Sequence, residues 1–401
     1  MSINANAVRC DNDLKLFNKL LEEPDVIRIN EQLEKHAEDG VVGIRRRLLA
    51  TSIRLTRGIA KSIHKVADAC IDKLELDIPL ELYVFPSPQY NAACFKPEAG
   101  RLFVIFSSSL LERFVGSELK FVIGHELGHH VYRHHDIPVG HILRGFERPD
   151  PKLVLELFAW SRYAEISADR AGAHCAGDPV SVAKALFRLA SGLSGDTIDF
   201  SLDDFLAQVD EMQADVTEPG RGAPKEDWFS THPFSPLRVR ALQLFHESEL
   251  ATPGGTPKEE LEVAVLRLMS LMEPSYMEGH TKAAEAMRRA LFSAALTIAT
   301  VDNEVSEAEI KLFEAFFGKG SYTQKLDIEK LKTELPARFA QVKELTSVPQ
   351  RMQLINDLCL IAKAEGNVTE PARAMLEQMA DELEVPRRFI CRTIDTDIVL
   401  D

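Results

Sequence analysis

His125-Glu126-Leu127-Gly128-His129 sets the hardest constraint on how this chain can fold. Two imidazoles four residues apart meet at one point only if they share a face, and an α-helix of about 3.6 residues per turn provides this. The surrounding segment, Ser117 to His135, has helical periodicity, with Ser117 as the expected N-cap and Pro138 beyond its end. Glu126 stands one residue from His125, placed to address a water on a metal without ligating the metal itself. The spacing therefore predicts a zinc ion held by His125 and His129, with Glu126 as general base. Gly128 in mid-helix costs ~1 kcal/mol relative to Ala. Close approach of another helix or of substrate is the expected compensation.

Two histidines and a water leave a tetrahedral zinc site one protein ligand short. Downstream, Tyr163-Ala164-Glu165-Ile166-Ser167-Ala168-Asp169 carries two carboxylates four residues apart among largely apolar neighbours. Buried carboxylates need a cation or several hydrogen-bond donors. Glu165 as third ligand, with Asp169 orienting a ligand histidine, meets both needs. His130, His134 and His135 crowd the same helix but point elsewhere, and are expected to be structural or surface residues. Cys94 and Cys175 fall near the site, yet nothing around them marks a reactive thiol.

Residues 12 to 75 read as helical, with a stripe through Leu48, Leu49, Ile53, Ile59 and Ile63. Leu80, Leu82 and Val84 alternate as in a strand, and Leu102 to Phe106 reads as a second strand after the turn residues Pro97 to Gly100. A long helix is expected from about Lys152 to Ala176. Another opens at Asp178-Pro179, an N-cap followed by proline at the first helical position. Val216 to Pro236, rich in Pro, Gly and charge, reads as a mobile segment. Ala251 to Pro257 reads as a linker, with Thr256 and Glu259 forming a capping box for the next helix. From there on the chain looks helical. Ile298 to Glu307 aligns with Ile361 to Glu370, 63 residues later, each copy a helix end, an acidic turn and a Ser or Thr cap.

Bulk properties narrow the function. At 401 residues, 45% hydrophobic and 27% charged, the chain is an ordinary globular one of two or three domains. A net charge of −15 argues against nucleic acid, whose phosphates call for clustered Lys and Arg. No stretch approaches the ~20 apolar residues of a membrane span, and the first residues lack the basic start and apolar run of a signal peptide. The six cysteines are scattered, as in reduced thiols. The cytoplasm is the expected location.

Taken in order, His125-Glu126-x-x-His129 with His134, then Glu165-x-x-Ala168-Asp169, then Thr231-His232-Pro233 and Arg238, resemble the HtpX and CAAX-prenyl-protease family of zinc metallopeptidases. Asn91-Ala92, Leu110-Leu111 and Glu118-Leu119 also fall where that family's pattern places them, and the resemblance runs from about Leu48 to Leu244. It implies a gluzincin with His125, His129 and Glu165 as ligands and Glu126 as base. It further implies that His232 faces the scissile carbonyl and stabilises the oxyanion, and that Arg238 anchors its loop against a carboxylate such as Asp169. Asn91 and Ala92 would offer a strand edge to the substrate backbone. The best-known members carry transmembrane helices, for which this chain has no segment, so a prenylated or membrane-embedded substrate is not expected.

The region from about Glu278 to Ile394 is similar to the tellurite-resistance TerB-like helical domain, through Asp302-x-x-Val305-x-x-x-Glu309 and the aligned Glu365-Gly366-Asn367-Val368. Ala372 stands where a second Glu309 would fall. Such domains are credited with divalent-ion binding at acidic turns; two capped helix junctions with solvated carboxylates account for these residues more simply.

The expected architecture is α+β: a mainly helical zincin-type metallopeptidase domain with a small sheet, followed by an all-α TerB-like domain. The expected divisions are an N-terminal helical segment (1–47), the peptidase domain (48–250), a linker and connecting helix (251–273) and the TerB-like domain (274–401). The expected function is a metalloendopeptidase using one Zn2+ per chain and a Glu-activated water on protein or peptide substrates, in stress response or protein quality control. The helical domain is expected to bind a partner or a divalent ion, or to regulate access. Two rivals stand beside this reading: a non-catalytic stress-response scaffold with a structural zinc site, and a zinc hydrolase of non-peptide substrates. A structural site has no need of a base such as Glu126 and usually closes with a fourth protein ligand.

Overall fold

The structure, a computed structural model, describes residues 4–38, 43–144, 150–193, 199–216, 230–272, 276–277, 282–301, 305–322, 327–364 and 367–395. The chain divides into two compact units, Met1–Val209 with Ser230–Glu262, and Asp210–Phe229 with Val263–Asp401.

The first unit opens with a short 3-10 turn (Ala5–Val8) and helices α1 (Asp11–Leu21), α2 (Pro24–Glu38) and α3 (Ile44–Thr51). Strand β1 (Ile53–Leu55), helix α4 (Lys61–Lys73) and strands β2 (Leu80–Phe85), β3 (Ala92–Glu98) and β4 (Arg101–Ser107) follow. Then come α5 (Ser108–Arg113), α6 (Gly116–Val131), α7 (Val139–Arg144), α8 (Pro151–Ala176), α9 (Pro179–Ser191), α10 (Leu202–Val216), α11 (Ser235–Glu247) and α12 (Lys258–Ser270), of which α10 and α12 are divided between the two units. The sheet runs β1-β2-β4-β3, with β2 and β4 parallel and both outer pairings antiparallel. Central β4 is buried almost throughout, so its run of large apolar residues needs no polar face. Phe17, Leu20, Leu157, Trp160, Ile137 and Ile142 form the core that seats α1 on α8.

The helical stripe expected through Ile53 and Ile59 does not exist. Ile53 is 64% exposed and Ile59 69% exposed. The helix stops at Ser52, whose backbone is already extended, and Leu55 alone of the next three residues turns inward, opposite Leu82. The alternation Ile53-Arg54-Leu55, with Leu55 turned to the core, suits the sheet edge rather than another helical turn. Ser117 is not the cap of α6 either: the helix begins at Gly116, with Val115 in the cap position and no side-chain cap. It ends at Val131, and Arg133, with φ of 60°, turns the chain into a 3-10 turn over His134–Asp136. Asp178 and Pro179 do open α9 as cap and first residue. The stretch after α11 is held by main-chain hydrogen bonds between Glu247, Glu249 and Thr256.

The second unit contains α13 (Lys282–Ala299), α14 (Glu307–Phe317), α15 (Ile328–Leu345), α16 (Val348–Ala362), α17 (Glu370–Glu382) and α18 (Arg387–Asp395), all helical as expected. Helix α13 is buried along most of its length and forms the axis of the unit, against α15 and α16. Ser306 and Glu309 make a reciprocal capping box, whereas Thr369 caps α17 alone because Ala372 has no side chain to return the bond. The acidic turns at Asp302 and Glu365 lie outside the described residues. No described helix is long and apolar enough to cross a membrane.

Candidate active site

Helices α6 and α8 cross along a seam of small residues. A Cβ on Gly124 would lie 2.8 Å from the Cys175 side chain, and one on Gly128 would lie 2.9 Å from the Ala171 Cβ. Another helix therefore explains Gly128. This close approach brings His125 and His129 on α6 to Glu165 and Asp169 on α8.

The two histidines face each other with Nε2 atoms 3.2 Å apart. Glu165 reaches both, with Oε2 3.5 Å from His125 Nε2 and Oε1 3.4 Å from His129 Nε2. One ligand atom from each residue falls within 4.8 Å of the others. Protonation shows what this arrangement needs. Asp169 Oδ1 lies 2.9 Å from His125 Nδ1, so the imidazole proton belongs on Nδ1 and the Nε2 lone pair points into the cluster. Glu165 Oε2 is buried and accepts no hydrogen bond from the described residues, though a terminal nitrogen of Arg238 lies 3.4 Å away as an ion pair. Two imidazole lone pairs converging beside a buried carboxylate repel unless a cation sits among them, and the Arg238 guanidinium reaches only the carboxylate. The residues fit a zinc ion by donor type and number.

Arg238, on α11, holds Asp169 through two bonds, Nε to Oδ2 at 2.7 Å and a terminal nitrogen to Oδ1 at 2.6 Å. Burial pushes the Asp169 carboxyl up, but Arg238 and His125 outweigh burial and keep it below its ordinary range. Burial likewise opposes ionisation of Glu165, and His232, His125 and His129 together hold it well below the usual carboxylate range. His232 sits at the mouth, its ring 61% exposed, with Nε2 3.5 Å from Glu165 Oε1. Its Nδ1 is 2.8 Å from the Thr231 hydroxyl, and when that hydroxyl donates to Nδ1 the ring proton sits on Nε2, facing the site.

Glu126 is buried on the side of α6 that faces strand β3. Burial, and after it the Glu126 charge, push the Cys94 thiol well up, so Cys94 is no nucleophile. Strand β3 is an edge of the sheet. Ser107 N–H donates to the Asn91 carbonyl at 2.8 Å, and Ala92 stands opposite Phe106. By the alternation of an antiparallel ladder, Ala92 and Cys94 turn their N–H and C=O groups to the open edge. Asn91 turns its main chain to Ser107 instead, and of the expected pair only Ala92 offers its backbone. Beside His129 and Glu165 opens a cavity of about 510 Å³, whose apolar wall includes Leu33, Ile44, Ile137, Val139 and Trp160.

Of the structural or surface roles expected for His134, the structure gives the structural one, and ties it to a ligand histidine. It is buried, and its Nδ1 lies 2.8 Å from His129 Nδ1. Its place five residues after His129, beyond the end of α6, hid this, because only the turn at Arg133 brings the ring back.

A histidine pair on one helix meeting a glutamate from a second is how the HExxH class of metallopeptidases holds its ion. The chain carries a domain of that class: residues 59–144 and 152–245 match Peptidase family M48. Residues 288–392 match the tellurite resistance protein TerB family, so a TerB domain follows the peptidase domain. The chain is 26% identical over 211 residues to the plastoglobule-localized metallopeptidase 48, chloroplastic, of Arabidopsis thaliana, covering 50% of this chain and 61% of that protein. It thus spans less than two thirds of that relative's length. No solved structure matches the chain.

Proposed function

We propose that this chain is a zinc-dependent endopeptidase acting on extended segments of protein substrates. The observation that carries the reading is the meeting of His125 Nε2, His129 Nε2 and the buried Glu165 carboxylate within 4.8 Å. These three residues would hold one Zn2+ per chain. When bound, zinc supplies Lewis acidity to a peptide carbonyl and brings the pKa of water towards ~7.

The remaining work falls to the chain's own groups. Glu126 takes the proton of the attacking water and later passes it to the leaving amine. His232 donates from Nε2 to the oxyanion that forms at the attacked carbonyl. Arg238 and Asp169 keep the His125 ring turned so that its Nε2 lone pair stays available. Ala92 and Cys94 pair with the substrate main chain as an added strand, and the cavity beside Glu165 takes a large apolar side chain next to the cleaved bond. The free cysteines suit a reducing compartment such as the cytoplasm. The TerB domain serves as a partner-binding module.

The test is metal dependence. Protein stripped by a chelator should lose cleavage of unfolded casein and regain it at one zinc per chain. Cleavage that persists without metal would sink the reading.

A further inference from the structure

We propose that Asp13, in the N-terminal segment outside the M48 match, is a positioning residue of the metal centre, acting on His129 through His134. The inference rests on the reading that His125, His129 and Glu165 hold zinc.

Asp13 is fully buried. Its Oδ2 lies 3.1 Å from His134 Nε2, and the other nitrogen of that ring, Nδ1, lies 2.8 Å from His129 Nδ1. The protons along this chain can be counted. A carboxylate only accepts, so the single proton of a neutral His134 sits on Nε2. His134 Nδ1 is then an acceptor, and the one proton between the two facing Nδ1 atoms belongs to His129. That leaves the His129 Nε2 lone pair directed at the metal cluster, as ligation requires. Without the carboxylate, His134 could carry its proton on Nδ1 and donate to His129. The His129 proton would then move to Nε2, and the ligand would be lost.

The arrangement repeats that of the other ligand. His125 is oriented by Asp169, which Arg238 grips; His129 is oriented by His134 and Asp13, which Arg9 grips from Nε to Oδ2 at 2.8 Å. Each ligand histidine thus ends in a buried aspartate held by an arginine, and the second relay is longer by one imidazole. Trp160 Nε1 also donates to Asp13 Oδ1, at 3.0 Å. A merely structural Asp13 would use that bond, with Arg9, to pin α1 onto α8.

The experiment compares zinc dissociation constants, by chelator competition, and metal-free melting temperatures for wild type, Asp13→Asn and Trp160→Phe. Asp13→Asn should weaken zinc binding about 10- to 100-fold, the usual effect of losing a group that orients a ligand. Trp160→Phe cuts the docking bond but keeps an aromatic ring against His134, and should leave zinc affinity unchanged even if melting falls. In a His134→Ala background, Asp13→Asn should cost no further affinity. If Asp13→Asn does not fold, Arg9→Gln, a change at the partly exposed arginine that grips the same carboxylate, should still weaken zinc binding. Wild-type affinity in Asp13→Asn, or in Arg9→Gln where that variant stands in, overturns the proposal. Equal weakening by Trp160→Phe would also overturn it. A wild-type protein that binds no zinc at all overturns the metal reading beneath it, an outcome told apart by the wild-type titration alone.

Discussion

Gly172 runs so close beneath Phe121 that a methyl group on its Cα would sit 2.6 Å from the Phe121 carbonyl oxygen. That oxygen belongs to the backbone of α6 and cannot swing aside. Gly172→Ala should therefore force α6 and α8 apart and destabilise the first unit by about 1–3 kcal/mol, the usual cost of overpacking. The sign is informative, because alanine is intrinsically the better helix former by ~1 kcal/mol. Gly58→Ala, in a turn where the new methyl meets nothing nearer than 3.8 Å, is the control for an uncrowded site. Melting temperatures of the two variants decide the point; equal values would show that the seam has slack.

Glu126→Gln keeps the size of the side chain and removes the base. Zinc content should remain at the wild-type level while peptide hydrolysis falls by a factor on the order of 10² or more. Metal analysis and a casein assay on the same preparation check both halves. Wild-type cleavage would remove Glu126 from the chemistry.

His232→Ala should lower kcat by a factor on the order of 10², the scale for loss of one oxyanion donor. KM should move less, because the bond forms chiefly in the transition state. Steady-state kinetics on one peptide are sufficient. A raised KM with kcat intact would make His232 a substrate-binding residue.

In the second unit, burial pushes the Asp357 carboxyl up from 3.8 to about 7, with the hydrogen bond from Tyr276 pulling the other way. The folded chain keeps a proton that the unfolded chain gives up above 3.8. Folding therefore takes up a proton between these values, and stability falls as pH rises through that window, then levels off above about 7. Relative to wild type, Asp357→Asn should gain stability across the same range. Denaturant melts of the two proteins at a series of pH values test this, and parallel profiles would refute it.

How far the sequence could be read depended on the distance over which each signal acts. The histidine pair of α6 and the carboxylates of α8 each announce themselves within a single helix, by spacing and by an apolar setting that an unpaired charge could not tolerate. The seam was half visible, since Gly128 demanded a neighbour without naming Ala171. Ile53 misled because a helical stripe can be drawn through any short run of aliphatic residues, and only its pairing with Val84 shows which period is real. Asp13 and Arg9 left no trace, because their relation to His134 is purely tertiary and joins segments with no shared pattern.

The order of the parts along the chain bears on the protein's birth. Arg170, wholly buried on α8, is neutralised by Glu262 on α12, with Arg170 Nη1 2.5 Å from Glu262 Oε1, and Asp169 is held by Arg238. Both partners lie far downstream of the histidines, so a nascent chain leaving the ribosome displays the HExxH helix long before the charges beside it can be satisfied. An uncompensated buried charge is strongly destabilising. A chain whose α8 packs against α6 before residue 262 has emerged therefore carries Arg170 without Glu262, so the seam reaches its full stability only once the last of these partners is made.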